Sequence, residues 1–220
     1  MRSLIDILDF STEELDELIE SANDIIANPQ KYAESCKGKK LATLFFEPST
    51  RTRLSFEAAM YELGGHVLGF SDAGSSSASK GESVADTTRV ISCFADIIAM
   101  RHYKEGAPMV ASLNASIPVI NAGDGGHNHP TQTLADLLTI REKFGRLKGI
   151  RLVYMGDARF NMGNSWMVTC AKMGMHFVAC GPKELWPEES FVEKCKNIAK
   201  ATGASIEMTD DVMLGTKDAD

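Results

Sequence analysis

The sequence of 220 residues predicts an α/β protein made of two parallel-sheet lobes. Short apolar runs alternate with stretches of helical periodicity, the alternation that puts helices on both faces of a mostly parallel sheet. The alternation pauses at the short polar stretch 145–149 and then restarts, so a first domain is expected over 1–145 and a second over 146–220. A composition of 44% hydrophobic and 24% charged residues, with 18 Gly and only 7 Pro, is that of a chain able to build a core.

In order, Ser11 and Glu14 form a capping box that opens a helix whose Leu15, Leu18, Ile19, Ala22, Ile25 and Ile26 recur at helical spacing. A buried strand is expected over 41–46, a helix over 51–63 and a strand over 66–70. A Gly/Ser-rich loop at 72–79 precedes a helix over 83–93, a strand over 96–100, a helix near 105–114, a strand over 117–121 and a long helix over 130–143. The second lobe is expected to hold strands at 150–155, 175–180 and 204–208, with helices at 161–173 and 188–202. Three strands are few beside the ~5 to 6 of an ordinary sheet, so this lobe is expected to be incomplete at Asp220.

Charge and cysteine usage narrow the function. The net charge is −7 and the cations are scattered rather than striped, which argues against a nucleic-acid or membrane-surface partner. No apolar run nears the roughly 18 residues needed to span a bilayer, and the N-terminal stretch is acidic and amphipathic, so a cytoplasmic protein is expected. Five cysteines without CxxC spacing disfavour a disulfide framework or a structural zinc site.

Polar motifs follow three of the expected strands, where open parallel sheets collect ligands. In FFEPSTRTRLSFEAAM, residues 45–60, a strand runs through a proline turn into Ser49, Thr50, Arg51, Thr52 and Arg53 at a helix start. Free backbone N–H groups, hydroxyls and guanidinium groups there suit a phosphate, and two arginines in a first turn, where the helix dipole disfavours cations, point to a compensating anion. The alternative is an ordinary N-cap with solvated arginines. Arg101, just after the strand 96–100, is either aimed at the same crevice or a surface arginine. NAGDGGHNHPTQT delivers His129 and Gln132 to a helix start, placed to hydrogen-bond a carbonyl or amide. His127 and His129 lack the companions of a metal site. The loop SDAGSSSASKGES carries Lys80 and reads as a mobile flap or as a solvated linker. GDARFNMGNS, after the first strand of the second lobe, offers Asn161 to a polar ligand head but lacks the GxGxxG order of a dinucleotide site.

STRTR and HPTQ together resemble the aspartate/ornithine carbamoyltransferase family, and the resemblance runs along essentially the whole sequence. It implies two α/β domains of carbamoyltransferase type. It also implies transfer of the carbamoyl group of carbamoyl phosphate to an amino acid, without cofactor or metal. Ser49, Thr50, Arg51 and Thr52 are implied as phosphate ligands, and Arg101, His129 and Gln132 as groups around the carbamoyl. Ser76 and Lys80 match a loop lent to the adjacent subunit's active site, implying a homotrimer, with a regulatory chain as a further partner. Arg51, Thr52, Arg101 and His129 are the expected catalytic groups, and positive potential is expected at Arg51, Arg53, Arg101 and Lys80. Residues 1–148 resemble the aspartate branch, whose pathway is pyrimidine biosynthesis. The segments GDARFNMGNS and CGPKELWPEE look like the ornithine branch, where Asn161 matches an asparagine for the amino-acid head group. Aspartate is the expected acceptor, ornithine the alternative; a silent carbamoyl-phosphate-binding protein and a nucleotide-binding module are the rivals.

Overall fold

The computed structural model describes residues 2–220. Its contacts divide the chain into two compact units: residues through Asp6 with Ser21–Gly126, and Ile7–Glu20 with His127–Asp220. Helix α1 (Thr12–Ala27) supplies residues to both. It starts as a reciprocal capping box, Ser11 N–H donating to Glu14 Oε2 at 2.7 Å and Glu14 N–H to Ser11 Oγ at 3.2 Å. Leu15 and Ile19 are buried, whereas Leu18, Ile25 and Ile26 are exposed, so the apolar stripe is narrower than the periodicity suggests. A short helix, α2 (Pro29–Tyr32), follows.

The first unit is built on four parallel strands in the order β2-β1-β3-β4, where β1 is Lys40–Phe45, β2 His66–Phe70, β3 Ile97–His102 and β4 Val119–Asp124. Helices α3 (Thr50–Glu62), α4 (Val84–Ile91) and α5 (Ala107–Asn114) make the crossovers. Ala42, Leu44, Ile98, Met100 and Val119 pack one face with Ile5, Phe46, Ala107 and Ala111. Leu41, Ala99 and Met60 pack the other. Each fully buried large apolar side chain contributes about 1.5–3 kcal/mol relative to exposure, which fixes the register that brings Phe45 opposite Arg101.

Two strands differ from the sequence expectation by more than one residue at an end. β3 continues past Met100, so Arg101 lies within the strand rather than beyond it. β4 begins two residues late and runs through the glycine-containing NAGD segment. Side chains hold that segment extended: Asn121 Oδ1 accepts from Gly123 N–H at 2.8 Å, and Asn121 Nδ2 donates to Ile5 O and to Asp124 Oδ1, each at 3.0 Å. Residues near the N-terminus line the edge, with a parallel bridge between Leu4 and Ile120.

The second unit carries three parallel strands in the order β5-β6-β7: β5 Arg151–Met155, β6 His176–Cys180 and β7 Ser205–Thr209. Its helices are α6 (Pro130–Phe144), α7 (Met162–Met173), α8 (Glu189–Thr202) and the short α9 (Val212–Thr216). Helix α7 is buried on most sides, its Met167, Val168 and Ala171 joining Phe177 and Val178 of β6 and Val192 and Ala199 of α8 among the core residues. All five cysteines are free, and burial pushes the Cys170 thiol far up. No helix among the described residues is long and apolar enough to cross a membrane.

Candidate functional site

In the first unit the polar motifs gather at the carboxyl ends of β1 and β3. Phe46 N–H donates to Arg101 O at 2.8 Å, so the two strand ends are locked side by side three residues before Ser49. Ser49 caps α3 with an extended backbone (φ −153°), yet its side chain makes no capping bond. The first helical bond of α3 is Arg53 N–H to Ser49 O at 3.1 Å, which leaves the amides of Thr50, Arg51 and Thr52 ahead of the ladder. The hydroxyls of Ser49, Thr50 and Thr52 have no hydrogen-bond partner among the described residues. The first turn of α3 holds no acidic residue, unlike those of α1 and α4.

The two arginines of STRTR part company. Arg51 is exposed and makes no ion pair among the described residues. Arg53 Nε instead donates to Glu57 Oε1 at 2.7 Å, one helical turn on, and Thr43 Oγ1 donates to the same oxygen at 3.1 Å. The expectation that Arg53 adds potential to the crevice is therefore corrected: the well-buried Glu57 carboxylate, 15% exposed, needs it.

Arg101 is mostly buried, its side chain 17% exposed. Nη1 donates to Ala122 O at 3.3 Å and Nη2 to Glu47 Oε1 at 3.2 Å, while Nε is buried without a partner among the described residues. A buried orphan donor needs an explanation, and a ligand acceptor supplies one. Glu47, not singled out from the sequence, is the anchor of this guanidinium; its signal was its place between the strand and the Pro-Ser-Thr turn. Beside it, His102 is buried, its ring 4.7 Å from that of Phe46 and 4.5 Å from that of Tyr103. Desolvation first, then the nearby Lys104 cation, hold its pKa below the usual imidazole value.

Ser76 and Lys80 lie on the segment after β2, which folds into two 3-10 turns, Ala73–Ser75 and Ser77–Lys80, rather than an irregular loop. Asp72 Oδ1 accepts from Ser75 N–H at 3.0 Å, and Ser76 Oγ donates to Ala73 O at 2.9 Å and accepts from Ala78 N–H at 3.3 Å. Short polar side chains thus build turns from a composition that reads as a linker. Lys80 is exposed, with no ion pair among the described residues.

His129, Gln132 and Asn161 belong to the second unit. His129 is the N-cap residue of α6; its N–H donates to Ser165 Oγ at 3.0 Å. Gln132 is exposed and its amide turns to Asp136 Oδ1 at 2.8 Å, opposing the burial that raises the pKa of that carboxyl. Asn161 is the N-cap residue of α7 with φ 43° and ψ −103°, a conformation foreign to L-residues that costs on the order of 1–3 kcal/mol. Its carbonyl accepts from the Ser165 amide and hydroxyl, both at 2.9 Å. The structure therefore joins His129 and Asn161 through Ser165, a residue the sequence reading did not single out. Among the described residues no group of three His, Cys, Asp or Glu is arranged for a metal ion.

Comparison with known proteins gives the family. Residues 2–142 match the family model described as aspartate/ornithine carbamoyltransferase, carbamoyl-P binding domain, and residues 148–220 match its Asp/Orn binding domain. The aspartate carbamoyltransferase catalytic subunit of Lachnoclostridium phytofermentans is 60% identical over 187 residues, covering 84% of this chain and 61% of the relative. That of Clostridium kluyveri is 63% identical over 159 residues, covering 72% and 52%. The chain thus spans between half and three fifths of the length of these curated relatives. Among solved structures, ornithine carbamoyltransferase from Pyrococcus furiosus superposes with a TM-score of 0.93 at 37% identity, covering all of this chain and 70% of that one. The catalytic subunit of M. jannaschii aspartate transcarbamoylase superposes at 0.86 with 40% identity, covering 100% and 72%. On matches over residues 2–142 and 148–220, the chain belongs to the aspartate/ornithine carbamoyltransferase family.

Proposed function

We propose that the protein transfers the carbamoyl group of carbamoyl phosphate to the amino group of L-aspartate, giving N-carbamoyl-L-aspartate and inorganic phosphate. The observation that carries the first half is the pairing of the orphaned Arg101 Nε with the acid-free start of α3 and its idle hydroxyls. Ser49, Thr50, Arg51 and Thr52 hold the phosphate; Thr52, Arg101 and His129 donate to the carbonyl oxygen as it gains charge, with Gln132 also on the carbamoyl group. The amine attacks the carbonyl carbon, a C–N bond forms, the C–O bond to phosphate breaks, and the amine proton is lost. No side chain has to act as nucleophile, so positioning and preorganised charge supply the acceleration.

Aspartate as acceptor is supported by curated relatives of that name at 60% identity or more, and it places the reaction in pyrimidine biosynthesis. Ornithine is the second reading, favoured by the strained Asn161 at the head of α7 and by the 0.93 TM-score to an ornithine enzyme. The working assembly in this proposal is a cytoplasmic homotrimer in which Ser76 and Lys80 serve a neighbouring subunit, with a regulatory chain as an additional partner. Residues 1–145 are assigned to carbamoyl phosphate and 146–220 to the amino acid. The test is turnover of labelled carbamoyl phosphate with aspartate and with ornithine in parallel. Labelled N-carbamoyl-aspartate upholds the proposal, citrulline shifts it to the second reading, and binding of carbamoyl phosphate without either product makes the protein a silent binder.

A further inference from the structure

Resting on the assignment of His129 and Asn161 to the reacting groups, we propose that Ser165 is the positioning residue that holds these two in one arrangement. A serine that merely bonds back to the carbonyl four residues earlier is commonplace in helices, and Thr169 does so one turn later, donating to Ser165 O at 2.7 Å. Ser165 does more. Its hydroxyl accepts the His129 N–H, 36 residues away in sequence, at 3.0 Å and donates to Asn161 O at 2.9 Å. Among the described residues its other acceptor is Asn128 Oδ1 at 3.3 Å, next to His129 in the chain, so either choice ties the same two segments.

The site gives that hydroxyl little freedom. Ser165 is 2% exposed, inside the buried helix α7. The turn it holds is pressed against the helix start, where a Cβ on Gly163 would come within 2.5 Å of Ala158 O. Asn161 sits at φ 43°, a conformation that relaxes unless its carbonyl is held. One oxygen thus fixes the entry of α6, from which His129 projects, and the strained turn that carries Asn161.

The experiment pairs steady-state kinetics with residue-resolved amide exchange on Ser165→Ala and Ser165→Thr, the second keeping the hydroxyl. The alanine variant is expected to raise the acceptor KM and lower kcat, each about tenfold, and to speed exchange of the His129 amide about tenfold. The threonine variant should recover most of each loss. In an Asn161→Gly background, Ser165→Ala should change the acceptor KM by less than about twofold, because the group it positions is already gone. An unchanged acceptor KM in folded Ser165→Ala, or effects of the two substitutions that multiply, overturns the proposal. If Ser165→Ala does not fold, Ser165→Cys, close in volume but a weak hydrogen-bonder, takes its place with the same expected outcomes. Absence of carbamoyl transfer by the wild-type protein would defeat the functional reading instead. The exchange rates then judge the bridge alone, acceleration at His129 supporting it and no change refuting it.

Discussion

Replacing Arg101 with lysine keeps the charge and removes the fork. The arginine serves Ala122 O through Nη1 and Glu47 through Nη2, while Nε stays available. Lysine has a single nitrogen on a flexible stem and cannot reproduce three fixed directions. Glu47 is its nearest strong acceptor, so the ammonium is expected to settle there and withdraw from the ligand. Losing one charge-assisted hydrogen bond to the reacting group costs about 1.5–3 kcal/mol, which is roughly 10- to 150-fold in kcat/KM. Stability should fall by no more than about 1 kcal/mol, because the ammonium keeps Glu47 paired and only the hydrogen bond to Ala122 O is lost. The assays are carbamoyl transfer under subsaturating carbamoyl phosphate and urea unfolding of the same preparations. A lysine variant within about threefold of wild type in kcat/KM would refute the reasoning, since Arg101 would then act as a charge and not as a directed set of donors.

Arg53→Ala should leave kcat within about threefold but lower unfolding free energy by about 1–2 kcal/mol, because the well-buried Glu57 loses its cation; Arg51→Ala, measured beside it, should do the reverse. His102 gives a pH signature: its pKa is below 6.5 in the folded state, so the unfolded chain binds more protons as pH drops through 6.5. Stability is therefore full above that pH and declines below it until the folded-state value is reached, and urea midpoints of His102→Gln should fall less steeply than wild type between pH 7.5 and pH 5.5, about one unit either side of 6.5. Gly163→Ala places a methyl 2.5 Å from Ala158 O and should destabilise by about 1–3 kcal/mol while raising the acceptor KM, as read by thermal unfolding and turnover.

What could be read from the residues, and what could not, divides along physical lines. Strands such as His66–Phe70 fall where expected because apolar runs bounded by glycine and polar residues have few other ways to hide. β4 departs from its expected bounds because Asn-Ala-Gly-Asp contradicts strand propensity; the bond from Asn121 to Ile5 O and the bridge from Leu4 help hold it, and neither contact is local. The STRTR segment stands out in the sequence as a helix dipole in conflict with nearby arginines, but which arginine turns away depends on Glu57, and i,i+4 pairing is the signal for that. Glu47 and Ser165 escaped for a different reason. Their importance lies in partners 54 and 36 residues away, which no spacing rule encodes.

The segment Ile7–Glu20 belongs to a unit whose remaining residues start at His127, and that has a consequence for biosynthesis. Thr12 Oγ1 donates to Lys172 O, and Lys172 Nζ to Leu8 O, across 160 and 164 residues. At ~5–20 residues per second, the ribosome needs roughly 10–30 s to deliver the other half of these bonds. During that interval α1 has its own capping box but nothing to cover Leu15 and Ile19, which end fully or almost fully buried. Those two residues are where a trigger-factor-like chaperone should crosslink to stalled nascent chains shorter than about 170 residues, and where it should let go once α7 has emerged.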